Sequence, residues 1–293
     1  MTIYVWSTAA AAVVLLAGGG VGQRDRRFPS ESRDSIQQTF RLPAGATRRF
    51  ELSNVSGDIV VAGAAGDAIE VTGARDIRGV TMDDVDEARR VSTLVSSEDV
   101  GGITLQGAGS LRRGCDARGE RPRADRWRRF RVHTRYEVRV PAGMALRLCT
   151  LNGAIHVSAV SGPVKADGVN GSIAVRHAGG PLVLRTVNGA ITAGLRVPPR
   201  GEVLLRTVNG GIQLFLPGSA AADVWMKTVN GGLFSDFATS RLEGEPATAE
   251  WRGGMRVYHS RSTGVRVSSG GPRIEIETVN GDIRVQRGPE GAQ

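Results

Sequence analysis

One phrase recurs along the second half of the chain and limits what it can fold into. It reads LNG-AIHV at 151–157, VNG-SIAV at 169–175, VNG-AITA at 187–193, VNG-GIQL at 208–214, VNG-GLFS at 229–235 and VNG-DIRV at 279–285. The asparagines are Asn152, Asn170, Asn188, Asn209, Asn230 and Asn280. Their following glycines are Gly153, Gly171, Gly189, Gly210, Gly231 and Gly281. Successive asparagines lie 18, 18, 21, 21 and 50 residues apart. A period near 20 marks stacked repeats, each too small to bury its apolar face alone.

Residues on either side of the Asn alternate. Six before it stand Leu146, Val164, Leu182, Val203, Val224 and Ile274, and four before it Leu148, Ala166, Leu184, Leu205, Met226 and Ile276. Two before it is Thr in five of the six phrases, with Gly168 the exception. Three after it come Ile155, Ile173, Ile191, Ile212, Leu233 and Ile283, while charged residues such as Asp167, Arg185, Arg206, Lys227 and Glu277 fill the intervening position. Period-two patterning is that of a strand with one buried face. Each phrase therefore reads as strand, Asn-Gly corner, strand. Pairs ending in Gly also fall nine residues apart from Asn152-Gly153 to Asn188-Gly189, so 18 residues make two arms and two corners. A run of β-hairpins is one reading, because Asn-Gly favours tight type I′ turns. The identical register of Asn favours the other: an all-β, single-stranded parallel β-solenoid, or β-helix, with about 18–21 residues per coil. Stacked Asn amides would then hydrogen-bond along the axis, as in cross-β ladders, and Gly would permit close approach at the corner.

The chain resembles the bacterial putative-adhesin family of unknown function, which has a toast-rack-like β-solenoid domain. The matching segments are FRLPAGATRRFELSNVSGDIVV at 40–61, YEVRVPAGMALRLCTLNGAIHV at 136–157 and the later RTVNG, KTVNG and ETVNG phrases. The resemblance spans roughly 40–287 and implies surface or envelope association. It implies no established reaction, ligand or catalytic residue. The chain departs from the family in an Arg-rich insertion and in the interval 236–272, where the repeat breaks.

In chain order, residues 3–22 carry no charge and resemble a secretory apolar segment. Arg24, Arg26 and Arg27 follow, and positive charge there disfavours translocation of what comes next. A cleaved signal peptide over 1–22, an uncleaved anchor and a cytoplasmic start are the three readings, with an extracytoplasmic location (periplasm, cell envelope or secreted) expected. Residues 23–39 read as a flexible lead-in and 40–287 as the repeat domain. Its early part, 40–106, reads as a pair of coils with degenerate corners, with Ile59, Val61, Ile69 and Val71 inward. The acidic cluster Asp83, Asp84, Asp86 and Glu87 lacks calcium-loop spacing and reads as solvated surface. The insertion covers 107–135, and 288–293 is a polar tail.

Net charge is +9, which attracts anions without identifying one. The charge concentrates in the insertion, where Arg126, Arg128 and Arg129 surround Trp127. These four are the candidate anion-binding residues, since Arg grips carboxylate or phosphate in bidentate fashion. The candidate partners are an anionic polysaccharide, a membrane surface or an envelope protein. Nucleic acid is disfavoured by the missing fold motif and the expected export. The only cysteines, Cys115 and Cys149, would form one disulfide in an exported protein, stapling the insertion to the repeats. His133, His156, His177 and His259 lack carboxylates at a spacing that specifies a metal or an acid–base pair. No metal site, cofactor or catalytic residue is expected. The sequence favours a non-catalytic envelope scaffold or adhesion-like module. A stress-sensing regulatory module and a carbohydrate-active solenoid enzyme are the alternatives, the last requiring two opposed carboxylates.

Overall fold

The computed structural model describes residues 27–41, 49–99, 102–107, 129–242, 249–258 and 262–288. The described chain is built almost wholly of strands. It begins with β1 (Ser30–Arg41), β2 (Arg49–Ser56), β3 (Ile59–Ala64) and β4 (Ala68–Gly79), followed by one helix, α1 (Met82–Val91). Then come β5 (Val95–Asp99), β6 (Gly102–Gln106) and β7 (Phe130–Pro141). The repeats supply β8 (Ala145–Asn152), β9 (Ile155–Ser158), β10 (Val164–Asn170), β11 (Ile173–Ala178), β12 (Leu182–Arg185), β13 (Ile191–Leu195), β14 (Val203–Arg206), β15 (Ile212–Leu216), β16 (Ala222–Asn230) and β17 (Leu233–Ser235). Last are β18 (Thr239–Arg241), β19 (Ala249–Arg252), β20 (Met255–Tyr258), β21 (Ser262–Val267), β22 (Arg273–Asn280) and β23 (Ile283–Arg287).

Two sheets share these strands. The first runs β1-β4-β7-β3-β9-β11-β13-β15-β23-β17-β20-β19, the second β18-β21-β16-β22-β14-β12-β10-β8-β2-β6-β5. Each repeat sends its first arm to the second sheet and its second arm to the first. Like arms then pair in parallel: Val164 of β10 lies between Leu146 of β8 and Leu182 of β12, and Ile173 of β11 between Ile155 of β9 and Ile191 of β13. One apolar core runs between the sheets. Ile155, Ile173, Ile191, Ile212, Ile283 and Leu233 form one buried column, and Leu148, Ala166, Leu184, Leu205, Ile276 and Met226 another. Burying a Leu or Ile fully contributes about 2 kcal/mol, which a single repeat, open on both sides, does not obtain.

The sheets are mixed, not wholly parallel, and both ends differ from the uniform stack expected. At the far end the chain completes β16 and β17 and then folds β20 and β21 against them antiparallel. It next returns, so that β22 lies between β14 and β16, and β23 between β15 and β17. The last phrase in sequence is thus the last but one in space. The antiparallel strands cover the edges that β16 and β17 would otherwise leave unpaired.

At the near end β2 and β3 form a coil like the others, pairing in parallel with β8 and β9, and β6 and β7 pair in parallel with β2 and β3 in turn. Ile69 and Val71 are buried, but β4 runs antiparallel to β7 and belongs to no second coil. The lead-in expected over 23–39 contains most of β1, a 12-residue strand antiparallel to β4. The acidic cluster lies on a helix. Thr81 caps α1, its hydroxyl accepting from the Asp84 backbone N–H while the Asp84 side chain accepts from the Thr81 N–H. Val85 and Ala88 face inward against Ile77 and Phe130. Asp84 is therefore buried rather than solvated. The hydrogen bond from Thr81 is the main cause holding its carboxyl below the ordinary range, and Arg129 adds to it.

Candidate functional site

The corner columns place the most regular polar groups in the molecule. Asn170 Nδ2 donates to Asn152 Oδ1 (2.9 Å), Asn188 to Asn170 (2.9 Å) and Asn209 to Asn188 (2.8 Å). The ladder then jumps to Asn280, which donates to Asn209 (2.7 Å), and ends at Asn230, which donates to Asn280 (2.8 Å). Beneath it the threonines point inward. Thr186, Thr207 and Thr278 each donate at 2.9 Å to the carbonyl of Gly171, Gly189 and Gly210 on the neighbouring coil. Thr228 does the same to Gly281 at 3.0 Å. The glycines have no room for a side chain. A Cβ on Gly171 would stand 1.9 Å from the Gly153 carbonyl oxygen, and one on Gly231 2.0 Å from that of Gly281.

The first coil meets the same demands with other residues. Ser56 takes the Asn register opposite Asn152, and Asn54 takes the Thr register opposite Thr150. The buried Asn54 amide donates to the carbonyls of Ser56 (3.2 Å), Gly57 (3.0 Å) and Thr134 (2.8 Å). The sequence signal for this role is the Asn two residues ahead of Ser56-Gly57, the place Thr holds in the later phrases.

Several outward arginines and carboxylates on the second sheet are engaged with one another. Arg206 pairs with Glu277 (3.1 Å) and Glu275 (3.4 Å), Arg273 with Glu275 (2.7 Å), and Arg185 with Asp167 (3.9 Å). Asp167 and Glu277 sit three strands apart, about 14 Å at ordinary strand spacing. That separation exceeds what either glycosidase geometry uses. His156 is exposed on β9 and His177 on β11, while His259 lies outside the described residues. Ser56 Oγ is 3.3 Å from the exposed His133 Nδ1, but Asp76, the cross-strand neighbour of His133, is held by Arg33 at 2.6 Å. Burial pushes the Tyr136 hydroxyl up to about 12, so it stays neutral at ordinary pH. Among the described residues, no three of His, Cys, Asp and Glu are grouped to hold a metal ion.

Of the anion-binding candidates, Arg126, Trp127 and Arg128 lie outside the described residues. Arg129 is described, and its guanidinium is paired with Asp84 at 2.9 Å, a partner that the sequence pattern did not reveal. Cys149 is disulfide-bonded; Cys115 lies outside the described residues. A different cluster escaped sequence reading altogether. Asp34 accepts from Arg75 (2.7 Å) and Arg89 (3.2 Å), and Arg75 also donates to the Ser92 carbonyl (2.8 Å). Its members are spread from 34 to 92, so no local motif announces them. Burial opposes ionisation of Asp34, but the bonds and charges of the two arginines outweigh it and hold the carboxyl below its ordinary range.

No family model matches the chain, and no curated protein does. Among solved structures it is similar to a crystal structure from Clostridium sporogenes described as a "putative cell adhesion protein". The TM-score is 0.41 and the identity 10%, over 87% of this chain and 100% of that one. Among the described residues, no helix is long and apolar enough to cross a membrane.

Proposed function

We propose that this chain is a non-catalytic, extracytoplasmic scaffold of the adhesin-like type, with a β-solenoid body over 40–287 that presents its Arg-rich insertion to anionic surfaces. The observation that carries the reading is how the repeat spends its polar groups. Asn amides bond to Asn amides, Thr hydroxyls to glycine carbonyls, and outward arginines to outward carboxylates. A catalytic site needs converging groups kept free for a substrate, whereas here the regular faces engage theirs internally.

The insertion carries the concentrated positive charge. Its contacts would be made by Arg126, Trp127 and Arg128, with Arg129 anchoring the segment through Asp84. A disulfide between Cys115 and Cys149 would tether the same segment to β8 and accords with export. The partner class is an anionic lipid surface or acidic polysaccharide.

The test compares wild type with Arg126→Gln/Arg128→Gln for retention on anionic vesicles and on an acidic polysaccharide, at low and physiological salt. Circular dichroism controls for folding. The variant should lose most of the low-salt retention, and wild-type retention should fall as salt rises. Equal retention by the folded variant contradicts the proposal.

A further inference from the structure

Every Asn-Gly pair carries a latent reaction. The glycine backbone nitrogen can attack Cγ of the preceding Asn side chain, closing a five-membered succinimide and expelling ammonia. Water then opens the ring at either carbonyl, leaving aspartate or isoaspartate. Glycine lends itself to this because no side chain hinders the approach. The step still requires that the glycine N–H be unengaged and that the Asn side chain be able to swing onto it.

Five of the six pairs are locked. The N–H groups of Gly153, Gly171, Gly189, Gly210 and Gly281 donate, each at 2.9 Å, to the backbone carbonyls of Asn170, Asn188, Asn209, Asn280 and Asn230 on the adjoining coil. The glycines are half-buried. Asn170, Asn188, Asn209 and Asn280 are further held from both sides, each donating to one neighbouring amide and accepting from another. Asn152 has one ladder bond, but its glycine nitrogen is engaged.

Asn230-Gly231 is the end of the column in space, although another phrase follows it in sequence. Among the described residues no parallel coil lies beyond it and the Gly231 N–H has no acceptor. Gly231 is exposed, unlike the other five glycines. The Asn230 side chain keeps one bond, to Asn280.

From this we infer that Asn230 is a self-deamidation site, the one reactive Asn-Gly pair among six identical in sequence. The product carboxylate has no N–H to donate to Asn280 Oδ1 and sets a negative charge beside that oxygen. Deamidation therefore removes the last rung of the ladder and weakens the end coil first.

The test ages the full-length protein in mildly alkaline buffer, natively and in guanidinium, and maps aspartate and isoaspartate by peptide mass spectrometry. Natively, conversion at Asn230 should exceed that at each other pair by about tenfold or more, the effect of freeing one or two hydrogen bonds, with Asn152 second. In guanidinium the six rates should converge. Equal native rates, a different leading site, or no native conversion at Asn230 overturns the inference.

Discussion

The repeat stack and the near-end flank are held together by opposite means. In the stack, from β8 to β17 with β22 and β23 between, one small set of contacts recurs from coil to coil: an apolar pair, an Asn-to-Asn bond and, except where Gly168 replaces the threonine, a Thr-to-Gly bond. In the flank, β1, β4, β7 and α1 are joined by contacts made once, the Asp34–Arg75–Arg89 cluster and the Asp84–Arg129 pair. The stack is therefore sensitive to volume at its close approaches, and the flank to charge.

The largest effect should come from adding volume to the stack. Gly171→Ala places a methyl 1.9 Å from the Gly153 carbonyl oxygen. The neighbouring backbone must shift to admit it, so about 3 kcal/mol or more should be lost, read as a lowered denaturant midpoint. The same substitution at Gly66, where a Cβ meets nothing within 4 Å, should cost less than half as much, chiefly through its positive φ. Equal losses would mean that the close approach is not what the glycine supplies.

Asp34→Ala should cost about 3 kcal/mol, since it leaves buried Arg75 without its carboxylate. Hydrogen exchange should locate the damage in β1 and α1 while β10 to β15 keep their protection. Because the carboxyl is held below its unfolded value, its contribution is present above about pH 4 and is lost as pH falls through the folded value. In Asp34→Asn that part of the acid limb of the stability curve should flatten. An unchanged limb would remove the cluster from the account.

Two asparagines sharpen the contrast. Asn54→Ala strips donors from three carbonyls in a buried place and should cost about 2 kcal/mol. Asn188→Ala removes two bonds on an exposed edge and should cost about 1 kcal/mol or less. Denaturant titration of both separates them, and a reversed order would contradict the burial assigned to each.

What was legible in the sequence follows the same division. The arms and corners of the stack were readable because Ile155, Ile173 and Ile191, like Thr186 and Thr207, repeat in register. Their order in space was not, since identical registers fit any neighbour: Asn280 suits the place beside Asn209 as well as Asn230 would. β1 was hidden because its inward residues include Ser32, Asp34 and Gln38, whose polarity is answered partly from distant parts of the chain. The α1 start was written in Thr81 and Asp84, but four clustered acids read as surface. Of the candidate site, Arg126, Trp127 and Arg128 remain a proposal, and the Asp84 partner of Arg129 lies 45 residues away.

The final phrase is inserted into the stack, giving the order Asn152, Asn170, Asn188, Asn209, Asn280, Asn230. Nuclear Overhauser contacts between assigned Asn side-chain amides test it directly, since adjoining rungs lie about 5 Å apart and alternate rungs about 10 Å. Contacts should join Asn209 to Asn280 and Asn280 to Asn230, with none between Asn209 and Asn230. A direct Asn209–Asn230 contact, with Asn280 at the end, would contradict the insertion and with it the assignment of Asn230 as the exposed end of the ladder.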